Sequence, residues 1–380
     1  MHSALLTDFY QLTMLQATGS REMSESLPSI ESKVAALSRP AAYPGNPETV
    51  EVIETHMSWV FLAGSMAYKL KKPVRYGRLD FRTVQARRFY CMEELRLNRR
   101  LADSVYLDVV PLKVSSVGAI RIDAAGRVVD WLVMMHRLPR HLMLDRMLED
   151  GTAGVEDLRG VAARLAAFYR SLPPAQVGRS QYLDSLAGEI DECERELCDP
   201  VFDLEADLVH SLCSRLRSVL NDRAHLFSTR VAAGRIVEGH GDLRPEHIYL
   251  GTPPAIIDRL EFSADLRTLD TVDELGFLAL ECERLGSPQL GTVLLDTYRG
   301  LTGDPAGGPL IHFYQSLRAC TRAKITIWHL REARYRDCAK WPARARQYLG
   351  LAARHMQSCE SALLPQAQGP VDNPSLPAGA

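Results

Sequence analysis

The 380-residue sequence has no apolar run long enough to span a bilayer, and its N-terminus lacks the charged-then-apolar order of a secretory signal. Its eight cysteines, at 91, 193, 198, 213, 282, 320, 338 and 359, contain no CxxC pair. That argues against a zinc or disulfide framework and fits thiols in a reducing compartment. No GxxxxGK[ST] occurs, so there is no P-loop nucleotide site. Charge of either sign is also scarce in sum. The net charge is −2, which gives no overall pull toward nucleic acid or anionic membrane. The expectation is a cytoplasmic protein with neither as a partner; its oligomeric state is open.

What the chain does have is length and apolar content. With 46% hydrophobic residues, it can build one large domain or two lobes. Residues 1–17 read as a short amphipathic helix. Residues 18–47, rich in Ser, Pro, Ala and Gly, read as a loosely ordered lead-in, so 1–47 is expected to be a partly disordered extension. From residue 49 the pattern turns to strands, at 50–55 and 59–62. A tight turn at Ala63, Gly64 and Ser65 then leads into MAYKLKK, 66–72. Alternation puts Ala67, Lys69 and Lys71 on one face of that strand. Residues 81–102 read as an amphipathic helix with Phe89, Met92, Leu97 and Leu101 in its apolar stripe. Further strands follow in 105–122 and 127–135. Beyond 135 the chain reads as helical, at 142–148, 155–171, 181–222, 269–284 and 309–363. The predicted class is α+β, with a small antiparallel-sheet lobe (48–135), a larger helical lobe (136–364) and a disordered Pro/Gly/Ala-rich tail (365–380). Ten acids fall between Asp184 and Asp207, and ten bases between Tyr314 and Arg354. Each run reads as a solvated face; substrate attraction is the sharper alternative.

The stretch from Val237 to Phe262, VEGHGDLRPEHIYLGTPPAIIDRLEF, carries the chemistry. It reads as a polar turn, a short strand at 247–250, a Gly-Pro turn and an apolar strand at 255–257 that ends on an acid. Phosphoryl transfer from a nucleotide needs one carboxylate to orient the attacking hydroxyl and magnesium to bridge the phosphates. It also needs a lysine on the α/β-phosphates and an acid on a helix to hold that lysine. Asp242, after the flexible Gly241, is the candidate base. Asp258 is the candidate magnesium ligand. Lys69 is the candidate phosphate lysine, preferred to Lys71. Glu94, preferred to Glu93, is its helix partner. His240 is read as a hydrogen-bonded support of the loop. Arg244 and Arg259 are open to two readings, a phosphate contact or a salt bridge within the loop.

These segments resemble the aminoglycoside phosphotransferase-like branch of the protein-kinase-like fold. The likeness is to an uncharacterised bacterial group whose members are often fused to a C-terminal P-loop ATPase domain. It rests on ETHMSWVFLAGSMAYKLKKPV (54–74), EELRLNRRLADSVYLDVVPL (93–112), HGDLRPEHIYL (240–250) and IIDRLEF with LDTVDELGFLALECE (256–283). With no P-loop motif, the expectation is the kinase-like unit without that domain. The resemblance implies a two-lobed kinase-like fold and the cofactors ATP and Mg2+. It assigns Asp242 to the base and Asp258 to the metal. His247 falls where a metal-binding Asn is usual; an imidazole there suits manganese better than hard magnesium. Asp270 matches a helix-start acid that braces the catalytic loop. Residues 131–138 match the interlobe hinge, where backbone groups near Met134, Met135 and His136 would meet adenine. No GxGxxG precedes the lysine strand, so the turn 55–58, with the Ser58 hydroxyl, is the candidate phosphate cover.

The implied reaction is ATP-dependent phosphorylation of a small-molecule hydroxyl, since the DFG…APE segment of protein kinases is missing. Two other readings stand beside it. One is a nucleotide-binding pseudokinase, raised by His247. The other is a phosphoribosyltransferase, raised only by the resemblance of residues 1–17 to the opening of nicotinate phosphoribosyltransferases.

Overall fold

The structure is a computed structural model that describes residues 27–76, 79–122, 124–332, 335–336 and 338–364. The predicted helix at 1–17 and the tail at 365–380 lie outside the described residues.

Residues 50–136 form a six-stranded antiparallel sheet in the order β1-β2-β3-β8-β6-β7. Its strands are β1 (Val50–Glu54), β2 (Ser58–Ala63), β3 (Met66–Lys71), β6 (Tyr106–Val114), β7 (Ile120–Ile122) and β8 (Arg127–His136). The small β4 (Arg75–Tyr76) and β5 (Leu79–Asp80) pair with each other. β3 lies between β2 and β8, with Lys69 opposite Val60 on one side and Val133 on the other. The β3 alternation is the predicted one. Met66, Tyr68 and Leu70 face one layer of core, and Ala67 faces the other.

Both faces of this sheet are apolar, so both need cover. One is covered by α2 (Val84–Ala102), through Cys91 and Leu95. The other is covered by α1 (Ile30–Leu37) with Ala42 and Tyr43, packed on Phe61, Tyr68, Leu70 and Leu132. This corrects the loosely ordered reading of residues 27–47. Ile30, Val34 and Leu37 recur at helical spacing and seal a sheet face that would otherwise be wet. A buried ion triad ties the three layers together. Asp130 on β8 accepts from Lys33 of α1 at 2.8 Å and from two nitrogens of Arg87 of α2 at 2.8 Å each.

The orientation of α2 differs from its apolar pattern. Phe89 and Met92 are 59% and 47% exposed, whereas Arg87, Glu94 and Asn98 are buried. Three polar residues with inward partners outweigh two apolar ones, and the helix is turned accordingly. Leu97 and Leu101 are buried as expected.

The large lobe is helical. It runs through α3 (Leu144–Glu149), α4 (Val155–Arg170), α5 (Arg179–Leu197), α6 (Ala206–Asp222) and α7 (Ala224–Ala232). After β9 (Ile236–Glu238) come the hairpin β10 (Ile248–Tyr249) and β11 (Ala255–Ile256), then α8 (Ala264–Arg267) and β12 (Thr268–Asp270). The last described helices are α9 (Thr271–Arg284), α10 (Pro288–Thr302), α11 (Gly308–Ile327) and α12 (Lys340–Leu363). The acidic and basic runs are solvated in part, with Asp184, Asp191, Asp203, Glu205 and Asp207 exposed, and they also meet each other through buried acids. Glu192 of α5 takes Lys324 of α11 at 2.8 Å, and Glu196 takes Arg331 at 2.8 Å. No helix among the described residues is long and apolar enough to cross a membrane.

Backbone and side-chain links both join the lobes near the cleft. One is the chain itself, leaving β8 through Arg137, Leu138 and Pro139. Another is a side-chain staple. Asn98 of α2 accepts from the Arg259 amide at 2.8 Å through Oδ1, and its Nδ2 faces the Arg259 carbonyl at 3.4 Å.

Candidate active site

A cavity of about 1070 Å³ lies between the lobes. Lys69, Ser58, Asp242, His247 and Asp258 all line it. Lys69 Nζ donates to Glu94 Oε1 at 2.9 Å and to Asp258 Oδ1 at 2.6 Å. Lys71, two residues along the same face, donates to Glu94 Oε2 at 2.5 Å and pairs also with Glu261. Glu94 therefore serves both lysines. Burial works against its charge, but Lys69 and Lys71 hold its carboxyl below the usual range. Glu93 faces outward and pairs with Arg96. Burial likewise disfavours the Lys69 ammonium, yet Asp258 and Glu94 keep it well above the usual lysine value.

Asp258 follows β11 in a left-handed conformation, φ 62°. That region is sparsely populated by non-glycine residues, with Asp among those that tolerate it. Its amide donates to the Tyr106 hydroxyl at 3.0 Å. Partial desolvation in the cleft works against its charge, but Lys69 and His247 hold its carboxyl far below the usual range.

Asp242 sits in the turn after β9. The loop is braced from below by Glu274 of α9, which accepts from the amides of His240 at 3.0 Å and Gly241 at 2.6 Å, and from the Tyr169 hydroxyl at 2.6 Å. Gly239 is required there: a Cβ would stand 2.6 Å from Glu274 Oε2. Asp270 does not brace this loop. It caps α9 and binds Arg230 at 2.7 Å, and Arg230 reaches on to Asp304. One helical turn separates the acid that the resemblance picks out from the one that does the bracing.

His240 donates through Nε2 to the Ile257 carbonyl at 2.8 Å, and burial pushes its imidazole down to about 4. It is a support, as read from the sequence. His247 ends a 3-10 turn, Pro245–His247, rather than starting a strand. Its Nδ1 donates to the Asp242 carbonyl at 2.8 Å, which leaves Nε2 as an acceptor. Nε2 lies 3.5 Å from Asp258 Oδ2 and 3.3 Å from an Arg244 nitrogen. Arg244 therefore donates to Nε2, and a cation held by Asp258 would reach that nitrogen once the Arg244 contact is released. Among the described residues no group of three or more His, Cys, Asp or Glu is arranged to hold a metal ion. Magnesium, which keeps waters and takes phosphate oxygens, fits a pair of protein ligands.

Arg244 Nε lies 3.0 Å from Asp242 Oδ2, an ion pair within the loop. Burial raises the Asp242 carboxyl, but Arg244 and His247 outweigh it and hold it down to about 2. Arg259 is 1% exposed and donates to the carbonyls of Gly239 at 2.7 Å and Glu238 at 2.6 Å, so it cannot reach a phosphate. Ser58 is buried, its Oγ 3.0 Å from Thr55 Oγ1, in a turn that lines the cavity. Met135 and His136 line the cavity, but Met134 does not. Its side chain packs on the α1 side of the sheet, because neighbouring strand residues alternate faces. The His136 amide is also taken, by the Val105 carbonyl at 2.9 Å.

An antiparallel sheet with a lysine strand, a helix acid, an interlobe cleft and an acid-bearing hairpin beneath it fix the architecture. The choline kinase of Cryptosporidium parvum Iowa II superposes on it with a TM-score of 0.52 at 10% identity, covering 87% of this chain and 96% of that one. The chain has the protein-kinase-like fold.

Other solved structures with this fold are similar. A choline/ethanolamine kinase family protein from Mesorhizobium loti matches at TM-score 0.49 and 16% identity, over 87% of this chain and 98% of that chain. AMP-bound spectinomycin phosphotransferase matches at 0.44 and 11% identity, over 82% and 95%. By sequence, uncharacterised proteins of Mycobacterium tuberculosis and Mycobacterium bovis are 32% identical over 317 residues, 81% of this chain. The chain spans 60% of the length of these relatives. No family model matches.

Sequence reasoning passed over several residues of this kinase-like cleft. Glu274, Asn98 and Glu261 lie far in sequence from the groups they hold, and nothing local marks them. Arg318 and Arg322 sat inside a run read as surface charge. Their spacing of four, with Thr321 and Ile325 between and beyond, was the available signal of a cleft-facing stripe.

Proposed function

We propose that the chain is an ATP-dependent small-molecule phosphotransferase acting on a hydroxyl group. The observation that supports this best is the convergence in one cleft of Lys69, Glu94, Asp258, His247 and Asp242, with Lys69 within 2.6–2.9 Å of two acids. In this reading Asp242, kept ionised at neutral pH, orients the acceptor hydroxyl and takes its proton. Glu94 holds Lys69 on the phosphate side. Asp258 and, once released by Arg244, the Nε2 of His247 would hold Mg2+, or Mn2+, which supplies charge neutralisation on the phosphates when bound. The turn 55–58 with Ser58 would cover the phosphates, and the base would lie against Met135 and His136. The partner is a small molecule rather than nucleic acid or membrane. Eight free cysteines support a cytoplasmic setting.

A second reading, a nucleotide binder without transfer, draws on the Arg244–Asp242 pair and on His247. The experiment that separates them is a melting-temperature screen with ATP and GTP, each with magnesium or manganese, followed by phosphoryl-transfer assays. Active transfer that falls about 10²–10⁴-fold in Asp242→Asn, with nucleotide binding kept, supports the phosphotransferase. Binding without any transfer selects the binder. Absence of a shift with every nucleotide overturns both.

A further inference from the structure

Nearly every charged side chain lining the cleft is already matched. Lys69 and Lys71 are held by Glu94, Asp258 and Glu261. Arg137 pairs with Glu51 at 3.0 Å and Arg140 with Asp145 at 2.5 Å. Arg244 is on Asp242, and Arg318 makes two bonds to Asp273 at 2.7 and 2.6 Å. Arg322 is different. It lines the same cavity from α11, one turn after Arg318, and makes no hydrogen bond or ion pair among the described residues. Its Nε is buried with no partner. Its guanidinium stands 5.9 Å over the Phe277 ring, which also carries Arg318 at 5.7 Å.

A guanidinium whose Nε is shut off from water without an acceptor is costly, because that desolvated N–H is unmatched. An aromatic face offsets little of that. The arrangement becomes favourable when an anion enters and takes the planar fork bidentately. The position selects which anion. Arg322 belongs to the large lobe and shares its wall with Phe277, Thr321 and Tyr182. Lys69, Ser58 and Met135, the groups assigned to the nucleotide, belong to the sheet. The charge of Arg322 is also felt at Asp242, where it helps hold the carboxyl down. Two acids lie on this wall: Asp273 is taken by Arg318, and the Glu189 carboxylate accepts from Thr321 Oγ1 at 2.7 Å and makes no ion pair with Arg322.

We infer that Arg322 is the anion-binding residue of the acceptor subsite, so that the phosphorylated compound is a hydroxyl compound carrying a carboxylate or phosphate group. This rests on the phosphotransferase reading for the word acceptor, but the anion site itself does not.

The test is calorimetric titration of the full chain, loaded with magnesium and a non-hydrolysable ATP analogue, with sulfate, D-glycerate, glycerol and choline. Sulfate and D-glycerate are expected to bind, and glycerol and choline are not. Arg322→Met should weaken both anions roughly tenfold to a hundredfold. Arg322→Lys, which keeps the charge and loses the fork, should weaken them less and carries the test if the methionine variant does not fold. Anion binding unaffected by either substitution overturns the inference, as does a preference for choline. Anion binding only without nucleotide, displaced by the analogue, overturns it too, since Arg322 then serves the nucleotide phosphates. If no nucleotide binds at all, the phosphotransferase reading fails alone; sulfate titration of the unloaded chain and of Arg322→Met still decides the anion site.

Discussion

Replacing Glu274 by alanine isolates the contribution of the brace under the Asp242 loop. The carboxylate is 1% exposed and accepts three donors: two backbone amides and one tyrosine hydroxyl. Each buried donor left without an acceptor costs about 1–3 kcal/mol, and partial relaxation brings the total to roughly 3–6 kcal/mol. For 380 residues at about 2.1 cal/mol/K each, the unfolding entropy is about 0.8 kcal/mol/K, so the melting temperature should fall by about 4–8 °C. Differential scanning calorimetry of the full chain measures it. A double-mutant cycle sharpens the assignment. Tyr169→Phe should cost less in the Glu274→Ala background than in the wild type, because it removes a donor that the first substitution had stranded. A Glu274→Ala melt within 1 °C of wild type, or strictly additive single and double variants, refutes the reasoning.

Asp258 offers a test of backbone strain. Asp258→Gly should be less destabilising than Asp258→Ala by about 1 kcal/mol in urea denaturation, because only glycine relieves the left-handed φ. His240 sets a pH dependence. Its folded value, about 4, lies below its unfolded value, so its contribution is complete above about pH 6.5 and is lost as pH falls toward 4. The loss is roughly 3 kcal/mol, and urea midpoints measured across that range should flatten in His240→Gln; an unchanged slope would count against the buried neutral imidazole. Deleting residues 1–47 should expose Phe61, Tyr68, Leu70 and Leu132, with dye binding and a loss of at least about 5 kcal/mol at about 1.5–3 kcal/mol for each side chain. A truncated chain that melts like the full one would show that α1 is dispensable.

The parts of the fold that announce themselves in the sequence are those with a short period and local punctuation. The β2–β3 hairpin, the alternation that aims Lys69 inward, and the hairpin between Asp242 and Asp258 depend on neighbours within a few residues. α1 was missed because its worth comes from a sheet face 30 to 100 residues away, not from its own Ser- and Ala-rich composition. α2 was recognised as a helix, but two of the four residues given to its inner face, Phe89 and Met92, point outward. Its pattern shows where apolar residues are, whereas its orientation follows the partners of Arg87, Glu94 and Asn98. The exchange of Asp270 for Glu274 has the same origin. Both are acids on one face of α9, and only the tertiary position of the loop distinguishes them. Met134 shows the limit of naming a segment, since two adjacent strand residues look into different layers.

The Asn98–Arg259 staple has a mechanical consequence. Two bodies joined at one flexible point can swing in any direction. The linker at 137–139 and Asn98 on the Arg259 backbone are two fixed points that restrict such a swing, like the hinges of a door. Lys71–Glu261 and Lys69–Asp258 then act as latches that cross from door to frame. A ligand that draws Lys69 away from Asp258 would release one latch while the hinges stay engaged.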